Sequence, residues 1–216
     1  MKLKPIFISF LLGLSFLCTT TPSFATTMEL VINGEFEEPV IGSTTWEPVP
    51  QSRVSGWSNN TEFIEIWKQG FLSSPIFGSD GSATGQHHEV AFNGASNFTT
   101  QDSLMTISDG LLDFSFDAWR RDASGIEYSL TGSSSGLLAS GIHSFTSNNW
   151  ETIAYTGLSV FADETFSLWF SSVGGGGSGA HIDQVSLQFS PTPEPGTMLL
   201  LGFGLLGLAR VSRKKN

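Results

Sequence analysis

The sequence predicts an all-β protein, an antiparallel jelly-roll β-sandwich. Three observations predict it. Several segments alternate apolar and polar residues with period two. Clusters of Gly, Ser, Asn and Asp separate them. No capped helical period of useful length interrupts the middle of the chain, and there is no internal repeat. Many short strands with polar turns make sandwiches and jelly rolls.

The elements follow in order. Met1–Ala25 reads as a secretory signal peptide: Lys2 and Lys4, an apolar run from Ile6 to Leu17, then Ser23-Phe24-Ala25, with Ser23 and Ala25 as the small residues at the two cleavage positions. Twelve apolar residues are short for a membrane span. The one cysteine, Cys18, lies inside this segment, behind residues too bulky for a lipoprotein signal. Cleavage leaves no cysteine, which excludes disulfides, thiolate zinc and a cysteine nucleophile.

Residues 26–190 then make one domain of ordinary size. It opens with Leu30-Val31-Ile32, a strand that breaks into Asn33-Gly34 and the carboxylates Glu35, Glu37 and Glu38. In Leu111–Trp119, Leu112, Phe114, Phe116 and Ala118 share one face, opposed by Asp113, Ser115, Asp117 and Trp119. Ile126, Tyr128 and Leu130 alternate likewise, as do Phe166, Leu168 and Phe170, and Val185, Leu187 and Phe189. Gly174–Gly177 reads as a flexible hairpin; no Lys-Ser/Thr follows, so it is not a phosphate loop.

Charge narrows the partners. Six of the ten bases and one of the twenty acids belong to the ends. The middle keeps 19 acids against Arg53, Lys68, Arg120 and Arg121, a formal −15. Nucleic acid and anionic membranes are poor partners for such a surface; cations and neutral ligands are good ones.

The carboxy-terminal segment 191–216 has three parts: Pro193-Glu194-Pro195, an apolar stretch from Thr197 to Ala209 expected to be helical, and the basic Arg210, Arg213, Lys214 and Lys215. It resembles the PEP-CTERM sorting signal. The resemblance implies a Gram-negative bacterium that makes extracellular polysaccharide, an exosortase-type sorting enzyme as partner, and transient anchoring in the inner membrane. The alternative is a plain carboxy-terminal anchor, with the basic tail inside. Either way the domain is expected to work outside the inner membrane.

Four stretches of the domain resemble the galactose-binding-like modules, the architecture of many carbohydrate-binding modules. They are Leu30–Pro39, with its NGEFEEP core; Val54-Ser55-Gly56-Trp57 followed by Glu62–Trp67; Asp80–Val90; and His181-Ile182-Asp183-Gln184-Val185-Ser186-Leu187. His87-His88 departs from the pattern, which has small or aromatic residues there. The resemblance implies a structural calcium ion where the first and last strands meet, on Glu37 and Asp183, with Glu35 as neighbour or second ligand. Calcium takes six to eight oxygens, and the Asn33-Gly34 turn is expected to supply carbonyls. The alternative is a solvated acidic turn.

All six tryptophans lie in the middle. Trp119 and Trp169 fall on the polar phase of their strands, and Trp67 falls opposite Ile64 and Ile66. These three are the expected sugar-stacking platforms, although indoles are more often buried than exposed. Trp57 reads as a core or loop anchor. Adjacent His87 and His88 point to opposite faces of a strand, so they do not share a metal; His88 is the expected ligand contact. No Gly-x-Ser-x-Gly elbow occurs, and nothing requires Asp113 and Asp117 to act as a glycosidase pair. The sequence therefore points to an exported, non-catalytic module at the cell surface or in the extracellular matrix, binding a polysaccharide with calcium as a structural ion. The competing readings are a structural matrix protein without a sugar ligand, and a glycan-active hydrolase.

Overall fold

In the computed structural model, residues 26–43, 45–70, 85–90, 98–175, 178–192 and 202–204 are described. Thr26–Thr192 form one unit; Met1–Ala25 with Pro193–Asn216 form another, of which residues 202–204 are described, as a helical turn. The expected signal peptide, the sorting residues Pro193, Glu194 and Pro195, and most of the expected carboxy-terminal helix lie outside the described residues. Among the described residues, no helix is long and apolar enough to cross a membrane.

Among the described residues, twelve strands belong to the larger unit: β1 (Met28–Glu29), β2 (Trp46–Pro50), β3 (Trp57–Asn59), β4 (Phe63–Lys68), β5 (Gln86–Glu89), β6 (Phe98–Met105), β7 (Gly110–Arg120), β8 (Gly125–Gly132), β9 (Gly136–Ser144), β10 (Glu151–Val160), β11 (Thr165–Val173) and β12 (Ala180–Pro191). All pairings are antiparallel. The larger sheet runs β10-β7-β12-β5-β4-β2, with β1 also on β12; the smaller runs β3-β6-β11-β8-β9. The last strand is thus central, flanked by β7 and β5.

Period two decides which residues fill the space between the sheets. Leu112, Phe114, Phe116, Ile182, Leu187 and Phe189 come from the larger sheet; Ile126, Leu130, Phe166, Leu168 and Phe170 come from the smaller, all at most 2 % exposed. The sheets interlock through rings: Phe116 lies 5.0 Å from both Tyr128 and Phe170 between centroids. Half of the twelve largest fully buried side chains are phenylalanines, so the abundance of Phe serves the core.

Two local expectations are corrected. The opening strand stops at Glu29; Leu30 adds one more ladder bond, to Leu187, and the chain then turns through Ile32–Glu35. Asn33 and Phe36 take left-handed φ of 53° and 51° there. β11 and β12, on either side of the expected Gly174–Gly177 hairpin, belong to different sheets and so are not hairpin partners. Gly174 and Gly175 take φ of 72° and 86°, and Gly176 and Gly177 lie outside the described residues.

Candidate functional site

The outer face of the larger sheet carries the chemistry. Register places Glu65 of β4 opposite Glu89 of β5, Glu89 opposite His181 of β12, and His181 opposite Trp119 of β7. One step along, Trp46 stands opposite Trp67, Trp67 opposite His87, and Asp183 opposite Asp117, which faces Thr152 of β10. Core residues such as Ile66, His88, Ile182 and Ala118 occupy the alternate phase, so these side chains all share the face away from the core.

Together they form a buried cluster. The His87 and His181 rings lie 4.9 Å apart between centroids. Trp119 is 4.8 Å from His181, Trp67 is 5.3 Å from His181, and Trp150 is 5.4 Å from His87. Arg121 closes one side: its guanidinium lies 4.6 Å above the Trp67 ring and bonds both Glu89 oxygens at 3.1 Å. The Gly179 N–H donates to Glu89 Oε1 at 2.7 Å.

Burial sets the ionisation of these groups. Desolvation pushes the Glu89 carboxyl up, to about 8; Arg121 and the Gly179 N–H oppose the rise, and Glu65 adds to it. Desolvation lowers His87 to about 3, helped by His88, and carries His181 well below the ordinary imidazole value. Both imidazoles are therefore neutral, each with one N–H donor and one bare acceptor nitrogen. Both are 0 % exposed, and among the described residues none of their four nitrogens has a hydrogen-bond partner, His181 Nε2 standing 3.9 Å from Glu89 Oε1. A buried unsatisfied polar group costs about 1–3 kcal/mol. Such a cluster suits a ligand that both donates and accepts hydrogen bonds between indole walls.

The expected ligand contacts do not all meet here. Trp67 and Trp119 belong to the cluster, but each is only 3 % exposed, so they are walls rather than open platforms. Trp46 stacks on Trp67 at 5.9 Å, and Trp150 and His181 cover Trp119. His88 is corrected to a core residue. It lies 5.2 Å from Phe36, its Nδ1 pairs with the Glu65 carbonyl at 3.0 Å, and its Nε2 pairs with Thr99 Oγ1 at 2.7 Å. Trp169 sits half-buried on the outer face of the other sheet, beside Phe98. The residues overlooked were His87, Glu89, Arg121, Trp150 and His181. Their signal was present: Glu65-x-Trp67, His87-x-Glu89, Asp117-x-Trp119 and His181-x-Asp183 each put chemistry at i and i+2, off the apolar phase.

The acidic turn lies elsewhere. Glu35 and Glu37 line a cavity of about 470 Å³ with Asn33, Gly34, Gln184 and Val185. Gly34 is needed there, since a Cβ would stand 1.9 Å from the Val185 carbonyl oxygen. Glu37 Oε1 accepts the Gln86 N–H, and Asp183 Oδ1 accepts the Gln184 N–H. Glu29 is taken up by the N–H groups of Val31 and Leu187 and the Ser186 hydroxyl. The Asn33 carbonyl accepts from the Trp57 indole at 3.0 Å and from the Phe36 N–H, and the Gly34 carbonyl accepts from Val185. The turn therefore uses its carbonyls internally, and Trp57 is the anchor expected of it. Among the described residues, no three His, Cys, Asp or Glu side chains gather as a metal site.

Comparisons with known proteins place this geometry. No curated protein matches the chain. Among solved structures, the Stig cyclase Fisc from Fischerella sp. TAU, in complex with an indole derivative, is 14% identical. It matches 78% of this chain and 100% of its own, with a TM-score of 0.54. A cyclase from the same source, bound to 4-(1H-indol-3-yl)butan-2-one, is 13% identical over 77% of this chain and 99% of its own, at 0.52. Carbohydrate-binding modules stand among the neighbours too, such as TmCBM61 with β-1,4-galactotriose: 15% identical, 74% of this chain and 97% of that one, at 0.48. At such identities the likeness is one of fold. Residues 191–214 match the PEP-CTERM protein-sorting motif, which marks an exported chain and implies processing by an exosortase.

Proposed function

We propose that this exported sandwich is a non-catalytic carbohydrate-binding module and that His87 and His181 make the polar contacts. The observation that supports it is the pair of fully buried, neutral imidazoles without hydrogen-bond partners, walled by Trp67, Trp119 and Trp150. A sugar hydroxyl donates and accepts at once, as neutral imidazole does. Trp67 and Trp119 are covered on their faces, so the half-buried Trp150 is the indole that a pyranose ring would meet first. Arg121 holds Glu89 in a bidentate pair beside them. Titration calorimetry against a panel of neutral oligosaccharides tests the reading. His181→Ala and Trp119→Ala are expected to weaken binding tenfold or more, about 1.4 kcal/mol, while Trp169→Ala leaves it unchanged. Dependence on Trp169 alone, or binding to no glycan, would sink it, and release of reducing ends would assign a hydrolase instead.

The sorting motif supports delivery to the cell surface or extracellular matrix of a Gram-negative bacterium, with the apolar tail held in the inner membrane until processing. Calcium is the structural ion of this reading. Glu35 and Glu37 face one cavity, Asp183 lies on the strand beside it, and carboxylate oxygens are what calcium takes. An ion bound there stabilises the folded state by mass action. Adding EDTA is expected to lower the melting temperature and calcium to restore it; an unchanged melting curve argues for a solvated turn.

A further inference from the structure

Among the described residues five strands are paired on one side only: β1, β2 and β10 in the larger sheet, β3 and β9 in the smaller. An edge offers unpaired N–H and C=O groups to any passing strand, and proteins usually blunt it. Four of these five are blunted, β1 by being only two residues long. β2 holds Pro48 and Pro50 within five residues. β3 is three residues long. β10 is broken between Tyr155 and Leu158, where Gly157 turns to φ 70° and gives its N–H to Asp113.

β9 has none of these devices along its second half. From Ala139 to Ser144 it keeps unbroken register with β8, after one irregularity between Leu137 and Ala139. It holds no proline and no Asp, Glu, Lys or Arg. Ile142 is 60% exposed. The Phe145 N–H bonds back to Ser124, so alternation turns the N–H and C=O groups of Ser140, Ile142 and Ser144 away from β8. Among the described residues no strand receives them.

We propose that β9 pairs with β9 of a second copy, antiparallel and centred on Ile142. This register sets Ile142 opposite Ile142 and Ser140 opposite Ser144, twice. Each pair exchanges both of its backbone hydrogen bonds, and the two isoleucines meet on the outer face. The outward residues are small and uncharged around a central apolar one, a pattern complementary to itself under a two-fold axis. The charge nearest to Ile142 on that face is the exposed Glu127 of β8, directly opposite it. The two five-stranded sheets become one continuous sheet. Each chain carries a formal −10, so the copies repel at long range and salt favours their pairing.

Sedimentation equilibrium of the full chain, in detergent that masks the apolar stretch 197–209, tests the pairing. A monomer–dimer equilibrium that tightens with added salt is expected. Ile142→Lys weakens it roughly tenfold or more through like charges placed directly opposite. Ile142→Pro abolishes it, because the lost N–H points outward and the ladder to β8 is untouched. In a Cys18→Ser background, Ile142→Cys forms a disulfide-linked dimer on mild oxidation, since directly opposite Cα atoms lie about 5.5 Å apart. Thr156→Cys on β10 does not. Circular dichroism checks that each variant folds. A monomer at every salt concentration overturns the proposal. So does a dimer that Ile142→Lys and Ile142→Pro leave intact, or capture of a heterologous strand in its place.

Discussion

Two rows of side chains cross the two sheets in the same way and could hardly differ more. On the larger sheet the outward row is Glu65, Glu89, His181 and Trp119. On the smaller it is Ser58, Thr100, Trp169, Ser129 and Ser140. Both rows arise from period two, and both back onto the same phenylalanine-rich core. The first is buried, and burial displaces its Glu89 upward and its His181 downward from their ordinary values. The second is exposed at Ser58 and Ser140 and half-buried between them, and the Ser58 and Thr100 hydroxyls bond to each other. The strand pattern alone builds a sandwich; what occupies the polar phase decides which face becomes a site.

The comparison can be broken or sharpened by experiment. The largest effect is expected where the faces share support. Phe116→Ala removes a ring packed against both Tyr128 and Phe170 and is expected to destabilise the domain by about 3–5 kcal/mol. A loss below that range would mean that the sheets hold together without their ring contacts.

Acid should strike the larger sheet next. The folded chain holds His87, at about 3, and His88, at about 4, below the ordinary value, and His181 well below it. Their contribution is complete above about 6.5, where the unfolded chain is neutral too, and is lost as pH falls toward the folded values. Glu89, raised to about 8, works in the opposite sense: its folded state keeps a proton that the unfolded chain releases above about 4.5. Near pH 5 the three imidazoles outweigh Glu89 together with Asp117, whose carboxyl burial also raises, so stability should fall on acidification there. Urea melts around that pH check it, and a flat profile would mean that the histidines titrate freely.

The smallest effects separate the two rows themselves. His87→Leu removes two unpartnered buried nitrogens and is expected to stabilise the fold by about 1–3 kcal/mol. Ser129→Ala on the other row should change stability by less than about 0.5 kcal/mol. Destabilisation by His87→Leu would show that the imidazole is satisfied.

The fold was legible because alternation is a local signal. The segments around Phe114, Tyr128, Leu168 and Leu187 read correctly as strands, and all four face the core. The site was legible only in part. His87 and His88 were read correctly as pointing to opposite faces, but which of them faces the core depends on Phe36 and Thr99, contacts 52 and 11 residues away. The carboxylate-indole-imidazole face forms only when β4, β5, β12 and β7 lie side by side, an order no local pattern contains. At the acidic turn the sequence does not show that the Asn33 and Gly34 carbonyls already accept from Trp57, Phe36 and Val185.

The position of β12 has a mechanical consequence. It is the last strand before residue 193, it is twelve residues long, and it is clasped between β7 and β5. A tension applied at Thr192 is transmitted along that strand and loads its bonds to β7 together, in shear, rather than peeling them one at a time. His181 lies on the same strand, so a ligand gripped there and a chain tugged at its end would bear on a single β-strand held on both sides.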